Sequence, residues 1–226
     1  ETELEDFFSE RRFKGINVTI PYKEKVLAYC DSLSDTASKI GSVNTIIKRA
    51  DGSLHGCNTD YYGLEYLAER TGISFEGQKV LILGSGGTAK TAHALASNKG
   101  AKSVIIVSRS GEVNYSNLGN YRDIDIIINA TPVGMFPNND ESLINLNDFP
   151  CCSGVLDVIY NPLRTNLILQ ASANGIPCSG GLPMLVAQAR YAGELFSGLK
   201  LDNYKIEETL SALEQRLTNI VFIGMP

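Results

Sequence analysis

The stretch that most limits how this chain can fold is Lys79-Val80-Leu81-Ile82-Leu83-Gly84, a short, almost wholly apolar run that ends in a glycine string. Apolar side chains on successive residues suit a central parallel strand, buried on both faces. Similar runs follow at 103–107 (SVIIV), 124–129 (IDIIIN) and 154–159 (GVLDVI). Around them the apolar period becomes helical, over 61–70, 88–98, 182–197 and 203–217. Strands alternating with helices predict an open, mostly parallel α/β sheet.

The glycine string, Gly84-Ser85-Gly86-Gly87-Thr88-Ala89, fits G-x-G-x-x-A, the Rossmann fingerprint. Gly84 allows a tight turn, Gly86 lets the backbone approach a pyrophosphate, and the small Ala89 lets helix and strand pack closely. The helix start beyond it offers free N–H groups and partial positive charge to phosphates. A purely structural turn is the alternative, because glycine turns after strands are common. The next strand ends in Ser108-Arg109-Ser110. NAD enzymes usually carry a carboxylate there; an arginine pairs instead with a 2′-phosphate and so points to NADP. The plain reading of Arg109 is a solvated surface side chain, and Gly111, Glu112 and Val113 supply no second cation.

Upstream, the first dozen residues carry a helical pattern, with Leu4, Phe7 and Phe8 on one side. Residues 15–20 read as a strand ended by Pro21, and Tyr22 to Tyr29 as a helix after that proline. Residues 43–48 and 54–57 read as a strand pair around the Asp51-Gly52 turn.

Charge excludes several classes of function. The net charge of −5 gives no electrostatic footprint for nucleic acid and no polybasic patch for lipid. No apolar run reaches the length of a membrane span, and the acidic opening ETELEDFF is no signal peptide. Five cysteines without a C-x-x-C, and two histidines, imply reduced thiols in a cytoplasmic protein and no metal site. His93 reads as a packing or surface residue.

Seven stretches together resemble one family, in order and over almost the whole chain. They are NVTIPYK (17–23), GSVNT (41–45), GCNTDYYG (56–63), GSGGTA (84–89), NATPVGM (129–135), DVIYNPLRT (157–165) and GGLPMLVAQA (180–189). The family is the shikimate dehydrogenases. The resemblance implies Lys23 as the catalytic lysine and Asp60 as its carboxylate partner. It implies Thr19 and Asn44 as substrate hydrogen-bonding residues, with Tyr160 and Gln188 closing over the ring. It assigns Gly84, Ser85, Gly86, Gly87, Thr88, Ala89, Arg109 and Thr131 to the NADP site, and Val158 and Gly181 to its nicotinamide end.

The chemistry agrees with those assignments. Oxidising an alcohol needs a group that takes the hydroxyl proton as hydride leaves, and the reverse step needs a donor. A lysine oriented by a carboxylate can do both. A substrate crowded with hydroxyls needs a neutral polar lining, which Thr19, Asn44 and Gln188 suit. Plain readings stand beside these. Asp60 precedes a helical run and suits an N-cap; Lys23 after a proline suits a solvated position; Tyr160-Asn161-Pro162 suits a turn.

Three departures from the family pattern follow. Nothing before Phe13 matches the family's opening β-α-β unit, whose serine pair holds the substrate carboxylate. The chain is therefore expected to be N-terminally truncated, to lack an early strand of its smaller sheet, and to turn shikimate over poorly while still binding NADP. The stretch between Arg109 and Asn129 is short, which implies one strand fewer and a less enclosed adenine side. Residues 218–226 (TNIVFIGMP) resemble the first strand of shikimate kinases, which implies a fused kinase; an ordinary tail is the alternative.

The expected fold is thus α/β, a Rossmann-type open parallel sheet plus a smaller α/β substrate domain. The expected division is 1–59 for the substrate domain, 60–181 for the NADP-binding domain, 182–217 for helices returning to the substrate domain, and 218–226 for the start of a kinase. The expected activity is NADP-dependent reversible reduction of 3-dehydroshikimate to shikimate, by a monomer or homodimer, with no nucleic-acid or membrane partner. An NAD-preferring quinate/shikimate dehydrogenase and a catalytically impaired nucleotide-binding remnant are the alternatives.

Overall fold

In the computed structural model, which describes residues 2–217, the chain builds two sheets. The expected kinase-like strand at 218–226 lies outside the described residues. The amino-terminal part runs α1 (Thr2–Glu10), β1 (Gly15–Asn17), β2 (Ser32–Leu33), α2 (Asp35–Ile40), β3 (Thr45–Lys48) and β4 (Leu54–Cys57). Its strands lie in the order β1-β3-β4-β2, with β1 and β4 antiparallel to β3 and β2 parallel to β4. The helix α1 closes one side of this sheet. Phe8 stacks on Tyr29 at a centroid distance of 4.6 Å and joins a core of Val26, Ala37, Val43, Ile46 and Leu54.

Two local expectations are corrected here. The strand expected over 15–20 keeps sheet geometry only to Asn17. Beyond it the Val18 N–H still donates to the Asn44 carbonyl, but Thr19 then accepts from Tyr22 N–H in a turn. The helix expected over 22–29 is a 3-10 turn at Lys25–Tyr29. An α-helix would need the Lys23 carbonyl to accept from Leu27 N–H. That carbonyl instead accepts from Val43 N–H at 2.8 Å, and Leu27 N–H turns back to Glu24.

The larger part runs α3 (Asp60–Thr71), β5 (Lys79–Leu83), α4 (Gly87–Asn98), β6 (Ser103–Val107), β7 (Ile126–Asn129), β8 (Gly154–Asp157), α5 (Asn166–Ala173), β9 (Cys178–Ser179), α6 (Leu182–Ser197) and α7 (Tyr204–Leu217). Its strands are all parallel, in the order β6-β5-β7-β8-β9. Strand alternation sorts the apolar residues onto two faces. Val80, Ile82, Ile126 and Ile128 pack with α3 and α4, while Leu81, Leu83, Ile127 and Val155 pack with α5 and the loops beside it. Each such fully buried side chain contributes roughly 1.5–3 kcal/mol. The Rossmann-type α/β fold is as expected. β2, α2, α5 and β9 are additions to the elements anticipated.

The chain leaves β5 toward β6 on one side and returns to β7 on the other. Such a reversal opens a crevice outside the carboxyl ends of the strands. Between β6 and β7 the described residues form no further strand or α-helix, only turns and a 3-10 turn at Leu118–Asn120, in keeping with the short stretch there. At the carboxyl end, α6 packs along α3, and α7 packs on α6 through Ile206 and Leu210. Among the described residues no helix is long and apolar enough to cross a membrane.

Candidate active site

The crevice at the reversal is a cleft of about 660 Å³. The glycine loop (84–88), Arg109 and Thr131 line it from the parallel sheet, and Ile20, Pro21 and Lys23 line it from the smaller one. The loop has the shape the fingerprint requires. Gly84 has φ +107, and a β-carbon there would stand 2.9 Å from Thr131 Cγ2 and 3.1 Å from the Ala130 carbonyl oxygen. A β-carbon on Gly86 would meet nothing within 4 Å, so the backbone there faces open space. Ala89 is fully buried against the β5 side of α4, as its packing role requires. The first turn of α4 therefore offers its N–H groups to the cleft, with Arg109 exposed on the wall at the end of β6. These features fit a dinucleotide phosphate group and a charged ribose substituent.

Lys23 crosses to α3. Its Nζ donates to Asp60 Oδ2 at 2.6 Å, with the two side chains only 13% and 9% exposed. Asp60 is the first helical residue of α3, and Thr59 holds the cap position. The N-cap reading of Asp60 is thereby corrected. Asn58 does that work through Oδ1, which accepts from Tyr61 N–H at 3.1 Å. The Asp60 carboxylate is left to Lys23.

Beside this pair lies a neutral polar cluster. Asn44 Oδ1 accepts from Thr59 N–H at 2.7 Å, and Asn44 Nδ2 donates to Thr59 Oγ1 at 2.9 Å and to Gln188 Oε1 at 3.4 Å. Thr59 Oγ1 also donates to Gln188 Oε1 at 3.2 Å. Gln188 arrives on α6, held close because Gly63 of α3 lies flush against Met184 and Gln188. The structure thus brings Lys23, Asp60, Asn44 and Gln188 together. Thr19 is exposed on the adjoining turn, and its hydroxyl makes no hydrogen bond among the described residues. Tyr160 is 46% exposed and stands on the loop after β8. Val158 and Gly181 touch: a β-carbon on Gly181 would fall 2.1 Å from the Val158 carbonyl oxygen, which seats the start of α6 on the end of β8.

Sequence reasoning passes over two residues. Thr59 ties Asn44 to Gln188, and its place between Asn58 and Asp60 in the NTD tripeptide is the signal. Asp157 is fully buried at the end of β8. Burial pushes its carboxyl above the usual range, against donors from Thr165, the Ile159 N–H and Asn129. A carboxylate inside the apolar run GVLDVI signals that role, which is to pin the loop carrying Val158 and Tyr160. No cysteine lines the cleft. Burial pushes the thiols of Cys57, Cys152 and Cys178 up, and that of Cys30 to about 11. The described residues bring no three His, Cys, Asp or Glu side chains together as a metal site.

Comparisons with known proteins give the same answer as the geometry. The family model described as the shikimate dehydrogenase substrate binding domain matches residues 1–46. The likeness therefore extends further toward the amino terminus than Phe13, where the motifs alone begin to show it. Shikimate dehydrogenase (NADP(+)) of Clostridium perfringens is 37% identical over 216 residues, 90% of this chain and 79% of the relative. Among solved structures, shikimate dehydrogenase 1 of Peptoclostridium difficile superposes with a TM-score of 0.88 at 32% identity, covering 96% of this chain and 84% of that one. Shikimate 5-dehydrogenase of Thermus thermophilus, in complex with NADP(H) and shikimate, gives 0.80 at 31% identity, covering 93% and 82%. With this likeness running through both sheets and the cleft between them, the chain belongs to the shikimate dehydrogenase family.

Proposed function

We propose that this chain catalyses the reversible, NADP-dependent reduction of 3-dehydroshikimate to shikimate. The observation that carries the reading is the Lys23–Asp60 pair, whose Lys23 lines the same cleft as the glycine loop and Arg109. NADP, when bound, supplies or accepts the hydride. Gly84, Ser85, Gly86, Gly87 and Thr88 hold its phosphates through backbone N–H groups, Ala89 keeps α4 tight beneath them, and Thr131 backs the loop. Val158 and Gly181 border the nicotinamide end.

The chain's own residues handle the proton. Lys23 Nζ gives a proton to the substrate oxygen on reduction and takes it back on oxidation, while Asp60 fixes the amine in place and accepts the same hydroxyl's hydrogen bond. Asn44, Gln188 and Thr19 supply neutral donors and acceptors for the remaining hydroxyls, and Tyr160 closes the ring side. Residues 1–59 form the substrate unit in this scheme, 60–181 the cofactor unit, and 182–217 carry Gln188 back to the substrate.

Arg109 favours NADP over NAD, since a guanidinium matches a 2′-phosphate and its chain neighbours, Ser108 and Ser110, are neutral. The test is an absorbance assay of NADPH consumption with 3-dehydroshikimate, run beside NADH and beside quinate in the reverse direction. Turnover with NADPH and 3-dehydroshikimate well above the other combinations is expected of the full-length protein. Binding of NADPH without turnover would favour a nucleotide-binding remnant instead.

A further inference from the structure

The segment between β6 and β7 is short, yet it is tightly built. The Ser108 N–H donates to the Val113 carbonyl at 3.2 Å, and Asn117 Nδ2 donates to the Glu112 carbonyl at 2.9 Å. The Asn114 N–H donates to Asn117 Oδ1 at 2.9 Å, while Asn114 Oδ1 accepts from Ser116 N–H at 3.0 Å. Val113 and Leu118 anchor the loop in the core on that face of the sheet. Asparagine side chains bonding to nearby backbone hold such a loop without a helix or strand.

What this loop presents is Tyr115. Its ring is half-buried and lines the cofactor cleft beside Arg109. Leu143, which comes from the segment after β7, lines the same cleft. Both residues also border a second groove of about 430 Å³, floored by Leu118, Ile144 and Phe149. The two hollows meet at Tyr115 and Leu143. Burial raises the Tyr115 phenol, and the Arg109 charge acts against that rise, so ring and guanidinium share one neighbourhood.

On the reading that this cleft holds NADP, we infer that Tyr115 and Leu143 seat the adenine ring. Adenine is a flat ring with apolar faces and polar edges. An aromatic ring and an aliphatic side chain bordering one hollow, with an arginine near the ring for the ribose phosphate, suit that shape and charge. The Asn-pinned loop takes the place of the missing secondary structure and encloses this end of the cofactor. Tyr115 is thus an affinity-determining residue for the adenosine half, outside the Lys23–Asp60 pair.

The test uses NADPH and adenosine 2′,5′-bisphosphate, which carries the adenine and the 2′-phosphate without the nicotinamide. Tyr115→Ala is expected to weaken calorimetric binding of both by about tenfold, on the scale of one base–aromatic stack. Its KM for NADPH rises in step, while kcat at saturating NADPH and the KM for 3-dehydroshikimate stay within about twofold. Tyr115→Phe keeps the ring and retains binding of both within about twofold. Unchanged affinity of Tyr115→Ala for the bisphosphate overturns the assignment, as does a matching rise in the KM for 3-dehydroshikimate, which would show that the effect is not confined to the adenosine half. Failure of the unaltered chain to bind either ligand overturns the cofactor reading itself.

Discussion

Ser42 and Gly87 meet where the two sheets abut, so closely that a β-carbon added to Gly87 would stand 2.8 Å from Ser42 Oγ. The Ser42 hydroxyl is fully buried and is without a hydrogen-bond partner among the described residues. The contact joins the loop before β3, which carries Asn44, to the phosphate end of α4. Substrate and cofactor elements are therefore registered against each other by direct packing. The Glu24–Lys90 ion pair at 2.7 Å and the Asn58–Thr91 hydrogen bond at 3.3 Å reinforce the same junction.

This contact predicts a coupled pair of substitutions. Ser42→Ala removes an unsatisfied buried hydroxyl and should stabilise the fold by about 1 kcal/mol. Gly87→Ala overpacks the junction and should cost about 1–2 kcal/mol. The double variant should recover most of that loss, because the Ser42 β-carbon lies a comfortable 3.7 Å from the added one. A double-mutant cycle by urea denaturation reads the coupling. Strict additivity of the two changes would show that the junction does not constrain Gly87.

Arg109 should discriminate between cofactors. Arg109→Ala is expected to weaken NADP by roughly 10- to 100-fold, the worth of a charge-assisted hydrogen bond, and to leave NAD nearly unchanged. Calorimetric titration with each cofactor makes the comparison. Equal losses would mean that Arg109 does not read the 2′-phosphate.

The docking of α7 should respond to acid. Hydrogen bonds from Arg70 and then Tyr66 hold the Glu207 carboxyl below its ordinary value of 4.5. A carboxyl with a lowered folded-state value stabilises fully above its ordinary value, and that contribution disappears as pH falls through the folded one. Hydrogen exchange of the α7 amides should therefore quicken as pH drops below about 4.5, relative to exchange in Glu207→Gln. Ile206 and Leu210 keep the helix seated at neutral pH in both proteins. Identical acid profiles for the two would show that the Glu207 contacts contribute nothing to docking.

The strands of the parallel sheet were legible in the sequence because burial on both faces leaves a plain apolar run, and the glycine string marks where β5 ends. The elements that escaped notice are short and depend on local bonds. Asp35–Ile40 has no apolar stripe of useful length and exists because Ser34 caps it and Gly41 closes it in the left-handed region. Asn166–Ala173 starts at Thr165, whose hydroxyl caps Ile168 while also donating to Asp157, a tertiary partner that local sequence does not reveal. Residues 22–29 failed as an α-helix for the same reason: the Lys23 carbonyl is claimed by Val43, a residue far along the chain. In the site, Lys23, Asp60, Asn44 and Gln188 were legible from motif resemblance. Thr59 was hidden because a threonine beside an aspartate carries no distinctive pattern until Asn44 and Gln188 converge on it.

Lys23 is proposed to carry the proton, and the cofactor to be held by residues of the parallel sheet. Lys23 reaches across to Asp60, whereas the glycine loop, Thr131 and Arg109 belong to the parallel sheet. The direct test measures kcat for shikimate oxidation and the Kd for NADPH in Lys23→Ala beside the unaltered protein, both at full length with the family's opening β-α-β unit. A fall in kcat of about 10² or more is expected, the scale of a lost acid–base group, with NADPH affinity within about twofold. Near-normal kcat in Lys23→Ala would contradict it.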